Sequence, residues 1–235
     1  MPASLRALDL PPPFRQVILR EARDAFVHAC AHASDLGAGT LIFVGRFDVA
    51  EFSVVLEPDE ALMSARRSFY AGMAALADAL SALAPPETPI GIEWPDRIKV
   101  GRSLVGGGRL SWPHPTDEDT RPDWLIFGAV VRLVSMRIGE AALADEGFGE
   151  VAAERLVEGF ARHLMVAIDR WEEGDFVAIA QGYLSRLRPE RGVRRAIDAS
   201  GNLRIERVGK PVTSLDLRAA LAEPSWLGRF CGDGL

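Results

Sequence analysis

The sequence has little of what marks the specialised protein classes. Its 235 residues include two cysteines, Cys30 and Cys231, which is too few for a disulfide framework and implies free thiols. No apolar run approaches the roughly 18–20 residues of a membrane-spanning helix. The longest candidate, Leu125 to Val131, stops at Arg132. Met1 to Phe14 lacks the apolar core and the small-residue cleavage site of a secretory signal. Positive charge is in deficit: 27 Lys and Arg against 33 Asp and Glu leave a net charge of −6. That removes the broad basic footprint of a nucleic-acid-binding protein. No Walker loop, Rossmann fingerprint or Ser-His-Asp constellation is present, and there is no repeat or low-complexity block. The expectation is a cytoplasmic protein with neither a membrane nor a nucleic acid as partner.

What is present is ordinary globular material, 48% hydrophobic and 26% charged. A chain of this length buries roughly 70–75% of its extended surface, so it folds without a disulfide or metal staple. Three prolines in Leu10 to Pro13 form a stiff leader. Strand character follows at Gln16–Leu19, Thr40–Val44 and Glu51–Leu56, where Phe52, Val54 and Leu56 share a face. Helical periodicity covers Glu21–Ala33, and a long helix opens at Pro58-Asp59-Glu60 with Leu62, Phe69, Met73, Leu76, Leu80 and Leu83 on one side. Pro85-Pro86 ends it.

Ile90, Ile92 and Trp94 alternate, and Ile98–Val100 and Ser103–Val105 flank Gly101-Arg102 as a tight hairpin. Leu125–Val134 is the most apolar strand candidate, after a polar loop at Trp112–Asp123. Helices are expected over Val151–Trp171 and Phe176–Leu187. A last hairpin, Val193–Ile197 with Leu203–Val208, precedes a tail from Leu217 whose structure the pattern does not define. Strands that come in hairpins, with few helices, predict an α+β fold: a mainly antiparallel mixed sheet packed by helices on one face. The expected division is a larger domain over residues 1–190 and a small C-terminal β module with its tail over 191–235.

The densest chemical signal is Glu93 to Leu110, E-W-P-D-R-I-K-V-G-R-S-L-V-G-G-G-R-L. Glycines at the end of a strand let backbone N–H groups approach a ligand. Lys99, Arg102 and Arg109 add positive charge suited to a carboxylate or another anion. On these residues alone, a bend in a sheet explains the glycines more simply.

Trp94-Pro95-Asp96, a hairpin, and Ser103-Leu104-Val105-Gly106 resemble the K-W-P-N-D…K-L-A-G-I segment of biotin protein ligases and their lipoate ligase relatives. Other features follow in the same order. Glu21-Ala22-Arg23-Asp24 falls where those enzymes have D-S-T-N. Gly45-Arg46-Phe47-Asp48 falls at their G-R-G-R-x-G-R loop. Phe127 to Val131 resembles their G-I-G-I-N strand, with Arg132 near the asparagine position. Glu173-Gly174-Asp175-Phe176 resembles E-x-G-F, and Arg191 to Ile205 resembles the hairpin of their C-terminal SH3-like module. The resemblance spans about residues 14–210.

It implies ATP- and Mg2+-dependent conversion of biotin, lipoate or a fatty acid to an acyl-adenylate, then transfer to a lysine of a biotinyl or lipoyl carrier domain. It also makes a homodimer plausible, with no metal held by the protein itself. The departures fall on the chemistry: Ser103 stands at the K-L-A-G lysine, and one remnant of the arginine loop, Gly45-Arg46, is left. The candidate residues are Lys99 and Asp96 as catalytic groups and Arg46, Trp94, Ser103, Gly106, Gly107 and Gly108 as substrate contacts. The alternative is a catalytically weakened protein that binds an acyl ligand or a carrier domain.

Two further patterns carry less. His28 and His32, four residues apart on a helix, can share a metal, but a catalytic zinc takes three protein ligands and no third is evident. Cys30 or Cys231 as a thioester nucleophile would need an activating neighbour. Asp117-Glu118-Asp119 is expected to be a solvated acidic loop.

Overall fold

A computed structural model of the chain describes residues 7–20, 23–137 and 139–229. Its frame is a seven-stranded sheet in the order β1-β2-β3-β7-β6-β5-β4. The strands are β1 (Arg15–Leu19), β2 (Thr40–Val44), β3 (Val49–Leu56), β4 (Ile90–Glu93), β5 (Arg97–Val100), β6 (Ser103–Ser111) and β7 (Leu125–Arg132). β1 lies parallel to β2, joined by the crossover helix α1 (Ala25–Leu36), and the remaining neighbours are antiparallel. This is the α+β architecture that the hairpin pattern predicts, except that helices cover both faces of the sheet instead of one, because α1 crosses over between the parallel β1 and β2.

Alternation along each strand gives the sheet two different faces. One is covered by α3 (Ser68–Leu83), α4 (Ala153–Glu172) and α5 (Phe176–Ser185), over Phe52, Phe127, Val105 and Leu110. Gly72 lets α3 settle on this face, since a Cβ there would lie 2.5 Å from the Phe127 ring. The other face carries α1, whose small buried residues Ala25, Ala29 and Ala33 lie against Ile42, Val44, Val55 and Ile126.

Of the boundaries that differ from the sequence pattern, three have a visible cause. The helix expected to start at Glu21 begins at Ala25, with Asp24 as its cap: the Asp24 carboxylate accepts from the Phe26 and Val27 amides. Glu21 and Ala22 lie outside the described residues. The long helix expected from Pro58 is two helices, α2 (Leu62–Ala65) and α3, with Arg66 and Arg67 between them. There the buried Arg66 turns aside to pair with Glu118 and to donate to the Ser200 carbonyl at 3.3 Å. The strand expected through Val134 ends at Arg132, where the Leu133 and Val134 amides turn to the Asp48 carbonyl.

A second, three-stranded antiparallel sheet joins β8 (Val193–Ile197), β9 (Leu203–Arg207) and β10 (Thr213–Leu215). It realises the predicted hairpin and adds a third strand and a short helix, α6 (Leu217–Ala222), which the pattern did not define. The buried Tyr70 hydroxyl of α3 donates to the Gly201 carbonyl at the hairpin turn, at 2.6 Å. Among the described residues no helix is long and apolar enough to cross a membrane.

Candidate functional site

Strand register brings a set of polar groups together on the α1 face. Gly107 of β6 pairs with Val130 of β7, and Val130 pairs in turn with Glu51 of β3. One step along, Arg109, Gly128 and Ser53 form the neighbouring row. Val130 is half-buried between Gly107 and Glu51, with Gly128 before it and Arg132 after it on its own strand. Val130 is therefore the floor of a narrow strip with walls of different chemistry.

The N-terminus of α1 forms the first wall. A Cβ on Gly128 would lie 2.5 Å from the Phe26 ring, so glycine is needed for this helix to sit so close. Arg109 lies over the same ring at 4.0 Å and pairs with Asp24 at 2.9 Å. The buried Arg109 Nε and Ser53 Oγ have no hydrogen-bond partner among the described residues.

Glu51 and the β2–β3 turn form the second wall. Glu51 is buried and accepts from the Ala25 amide at 2.8 Å. Burial, aided by the negative charge of Asp24, pushes its carboxyl above the usual range. Arg46 clamps Asp48 through two bonds of 3.0 and 2.7 Å and stands 4.0 Å from Glu51. The hydrogen bond from Arg46 is the main reason the Asp48 carboxyl is held below its ordinary range. Beyond Val130, the buried Arg132 faces Glu140 at 3.5 Å and donates to the Ala141 carbonyl.

The remaining wall comes from the C-terminal segment. Trp226 is fully buried, and a Cβ on Gly107 would lie 2.4 Å from its indole. Its Nε1 donates to the Gly108 carbonyl at 3.0 Å. Asp96 anchors the segment: its buried carboxylate accepts from the Ser225 amide at 2.7 Å and from the Ser225 hydroxyl. Burial raises the Asp96 carboxyl despite those bonds.

The sequence-derived candidates thus fall into three places. Arg46 stands at the strip. Asp96, Gly107 and Gly108 meet around Trp226, while Gly106 turns to the opposite face and lies against the Val130 carbonyl. Lys99 and Trp94 line a cleft of about 1230 Å³ at the β4 edge, with Arg102, Arg186 and Leu187. There Lys99 Nζ lies 3.6 Å from Glu93, and the Trp94 indole donates to the Tyr70 hydroxyl at 3.3 Å. Ser103 opens β6 opposite Val100, beside the hairpin turn. Glu51, Arg132 and Trp226 lie around the strip and are not among the sequence-derived candidates; of the three, Glu51 stands out in the sequence as a lone carboxylate in a strongly apolar strand.

His28 and His32 stack on the exposed side of α1 with centroids 4.4 Å apart. Among the described residues no group of three or more His, Cys, Asp or Glu could hold a metal ion. The Cys30 thiol is pushed up by burial, against the direction that would make it a nucleophile. Cys231 lies outside the described residues.

The profile of the Biotin/lipoate A/B protein ligase family matches residues 10–185, about three quarters of the chain. The chain belongs to that family. In overall structure it is similar to a biotin protein ligase-like protein of unknown function from a Silicibacter species, 26% identical with a TM-score of 0.82, over 92% of this chain and 100% of that one. It also shares the fold of the biotin protein ligase from Aquifex aeolicus, 14% identical with a TM-score of 0.67, over 86% and 95% of the two chains. The same Aquifex ligase in complex with biotin and ATP gives 12% identity and a TM-score of 0.66, over 85% and 94%. No curated protein gives a significant match to the sequence. In this family member the strip lies on the α1 face, and the Lys99 cleft lies at the β4 edge of the sheet.

Proposed function

We propose that this family member holds a small carboxylic acid on the Val130 strip, and that it is a binding protein in which ATP-dependent activation is weakened. One observation carries this reading: the candidate cations already face carboxylates. Arg46 pairs with Asp48 at 2.7 Å, Arg109 with Asp24 at 2.9 Å and Lys99 with Glu93 at 3.6 Å. Neutral Ser103 occupies the position at which the resembled motif has lysine. A carboxylate ligand needs one exchanged ion pair, and a charge-assisted bond suffices to hold it. Forming an acyl-adenylate needs more: positive charge aimed at the phosphate as negative charge builds in the transition state. Apolar contact to Val130 and Phe26 suits the chain of such an acid, and Arg46 or Arg109 suits its head.

The second reading is an active ligase, supported by the likeness in fold to the Aquifex ligase seen with biotin and ATP. In it, the acid's carboxylate attacks the ATP α-phosphorus, pyrophosphate leaves with Mg2+, and the acyl group passes to the amine of a carrier lysine, releasing AMP. Lys99 would supply the phosphate-facing cation after leaving Glu93, and Asp96 would hold the glycine strand in place.

Native mass spectrometry separates the two. The protein is incubated with biotin, lipoate, octanoate or hexanoate, each with and without MgATP. The expected result is one acid retained at one per chain, with no adenylate mass. A retained acyl-adenylate establishes the second reading, and Lys99→Ala then abolishes its formation. Retention of no acid under either condition overturns the acid-binding reading.

A further inference from the structure

On the face of the sheet opposite the strip, the helices do not fill all the space they enclose. Ala65, Ser68 and Ala71 of α2 and α3 and Leu164, Ala167 and Ile168 of α4 line one cavity of about 660 Å³. Leu56 of β3 and Leu125 of β7 line it from the sheet. The side chains contributed by α2 and α3 are small, and larger ones at those positions would take up the gap. The volume falls within the roughly 300–1,000 Å³ of small-molecule sites.

The depth of this cavity is apolar and its mouth is acidic. Ala65, Ala71, Leu125 and Leu164 are buried, while Glu57, Asp59, Asp169 and Glu172 are exposed around it. No lysine, arginine or histidine is among the described residues that line it. A fifth carboxylate, Glu60, is already compensated: it pairs with Arg67 at 3.2 Å and accepts from the Trp171 indole at 3.0 Å. Glu57 accepts from the Ala38 amide at 3.0 Å, and none of the four exposed carboxylates forms an ion pair among the described residues. Ser68, on the α3 wall, has a buried hydroxyl with no hydrogen-bond partner among the described residues. Like charges around a cleft with low-dielectric walls concentrate ions of the opposite sign and turn away their own.

We propose that this cavity is a second binding site, for an organic cation with an apolar body. The ammonium head lies among Glu57, Asp59, Asp169 and Glu172, and the hydrocarbon chain lies between α3 and α4. The site is on the other face of the sheet from the Val130 strip and requires no acid to be bound there.

Octylammonium, octanoate and 1-octanol share one chain and differ in the head. Each is titrated into the isotopically labelled full chain at pH 7, with amide shifts locating the ligand and giving its Kd. Octylammonium is expected to move Ser68, Ala71, Leu125 and Ile168 and to bind there more tightly than 1-octanol. Octanoate should leave these four unmoved. The double variant Asp169→Asn with Glu172→Gln removes two exposed charges and keeps the apolar walls. It should weaken octylammonium about fivefold, in keeping with the modest strength of solvent-screened charge pairs, and leave 1-octanol unchanged. The proposal is overturned if octylammonium leaves these amides unmoved, if 1-octanol or octanoate equals it there, or if the double variant binds it as tightly as the wild type. Acid held at the strip moves amides on the opposite face, so the two sites are read separately in one spectrum.

Discussion

At Glu51, burial and ion pairing act in opposite directions, and burial dominates: the carboxyl sits above its ordinary range although Arg46 is 4.0 Å away and the Ala25 amide donates to it. A carboxyl that is raised in the folded state binds its proton more tightly there than in the unfolded chain. Its ionisation therefore costs stability as pH rises from the unfolded value near 4.3 through the folded one. Glu51→Gln keeps an acceptor for Ala25 and removes the charge. Relative to wild type it should gain stability between pH 4 and pH 7, measured by urea unfolding at both. A variant that loses ground as pH rises would mean that pairing with Arg46 outweighs burial.

Gly107 makes a second prediction at the same scale. A methyl group there meets the indole and also the Asp96 carbonyl, both at 2.4 Å, and the carbonyl is backbone that yields little. Gly107→Ala should cost about 1–3 kcal/mol, the usual range for overpacking, with Trp226 displaced. Denaturant unfolding gives the first value and tryptophan fluorescence reports the second. An unperturbed variant would show that the segment is held loosely.

Among the elements, the Tyr70 hydroxyl is one of the polar contacts that attach the second sheet, beside Arg66 with Ser200 and Arg218 with Glu118. The Tyr70 hydroxyl donates to Gly201 and accepts from Trp94, and burial holds its phenol well above its normal pKa. Tyr70→Phe leaves a buried carbonyl without its donor, a loss of about 1–3 kcal/mol. Hydrogen exchange should show faster opening across β8 and β9 than across β3 and β7. Uniform acceleration through the chain would mean that the two sheets open as one unit.

Periodicity made most elements readable: alternation in Phe52, Val54 and Leu56, and helical spacing through Phe160 and Leu164. It failed where the deciding partner is distant. Arg66 interrupts a long apolar pattern because its partners Glu118 and Ser200 lie 52 and 134 residues away. The cap at Asp24 and the start of α1 depend on such partners as well, since Asp24 is paired with Arg109, 85 residues on.

For the whole molecule, the collinear order of weak motifs pointed to the family, and the profile match over residues 10–185 bears that out. The same order could not show which candidates share a site. Lys99 and Gly107 are eight positions apart, yet Gly107 pairs with Arg97 next to β7, while Lys99 lies past the register shift, opposite Leu104, and lines the cleft at the β4 edge. Trp226 was invisible for a different reason: a single aromatic in a tail without periodicity gives no sign of the glycine it covers. The sheet centre, flanked by α1, Glu51 and Trp226, is where we propose that a small acid is held.

The most direct test is an amide chemical-shift map of the isotopically labelled protein during titration with the retained acid. Acid binding at the sheet centre predicts that the largest changes fall on Ala25, Phe26, Gly107 and Val130, with the β4 edge unmoved. Changes centred instead on Lys99, Arg186 and Leu187 would contradict it.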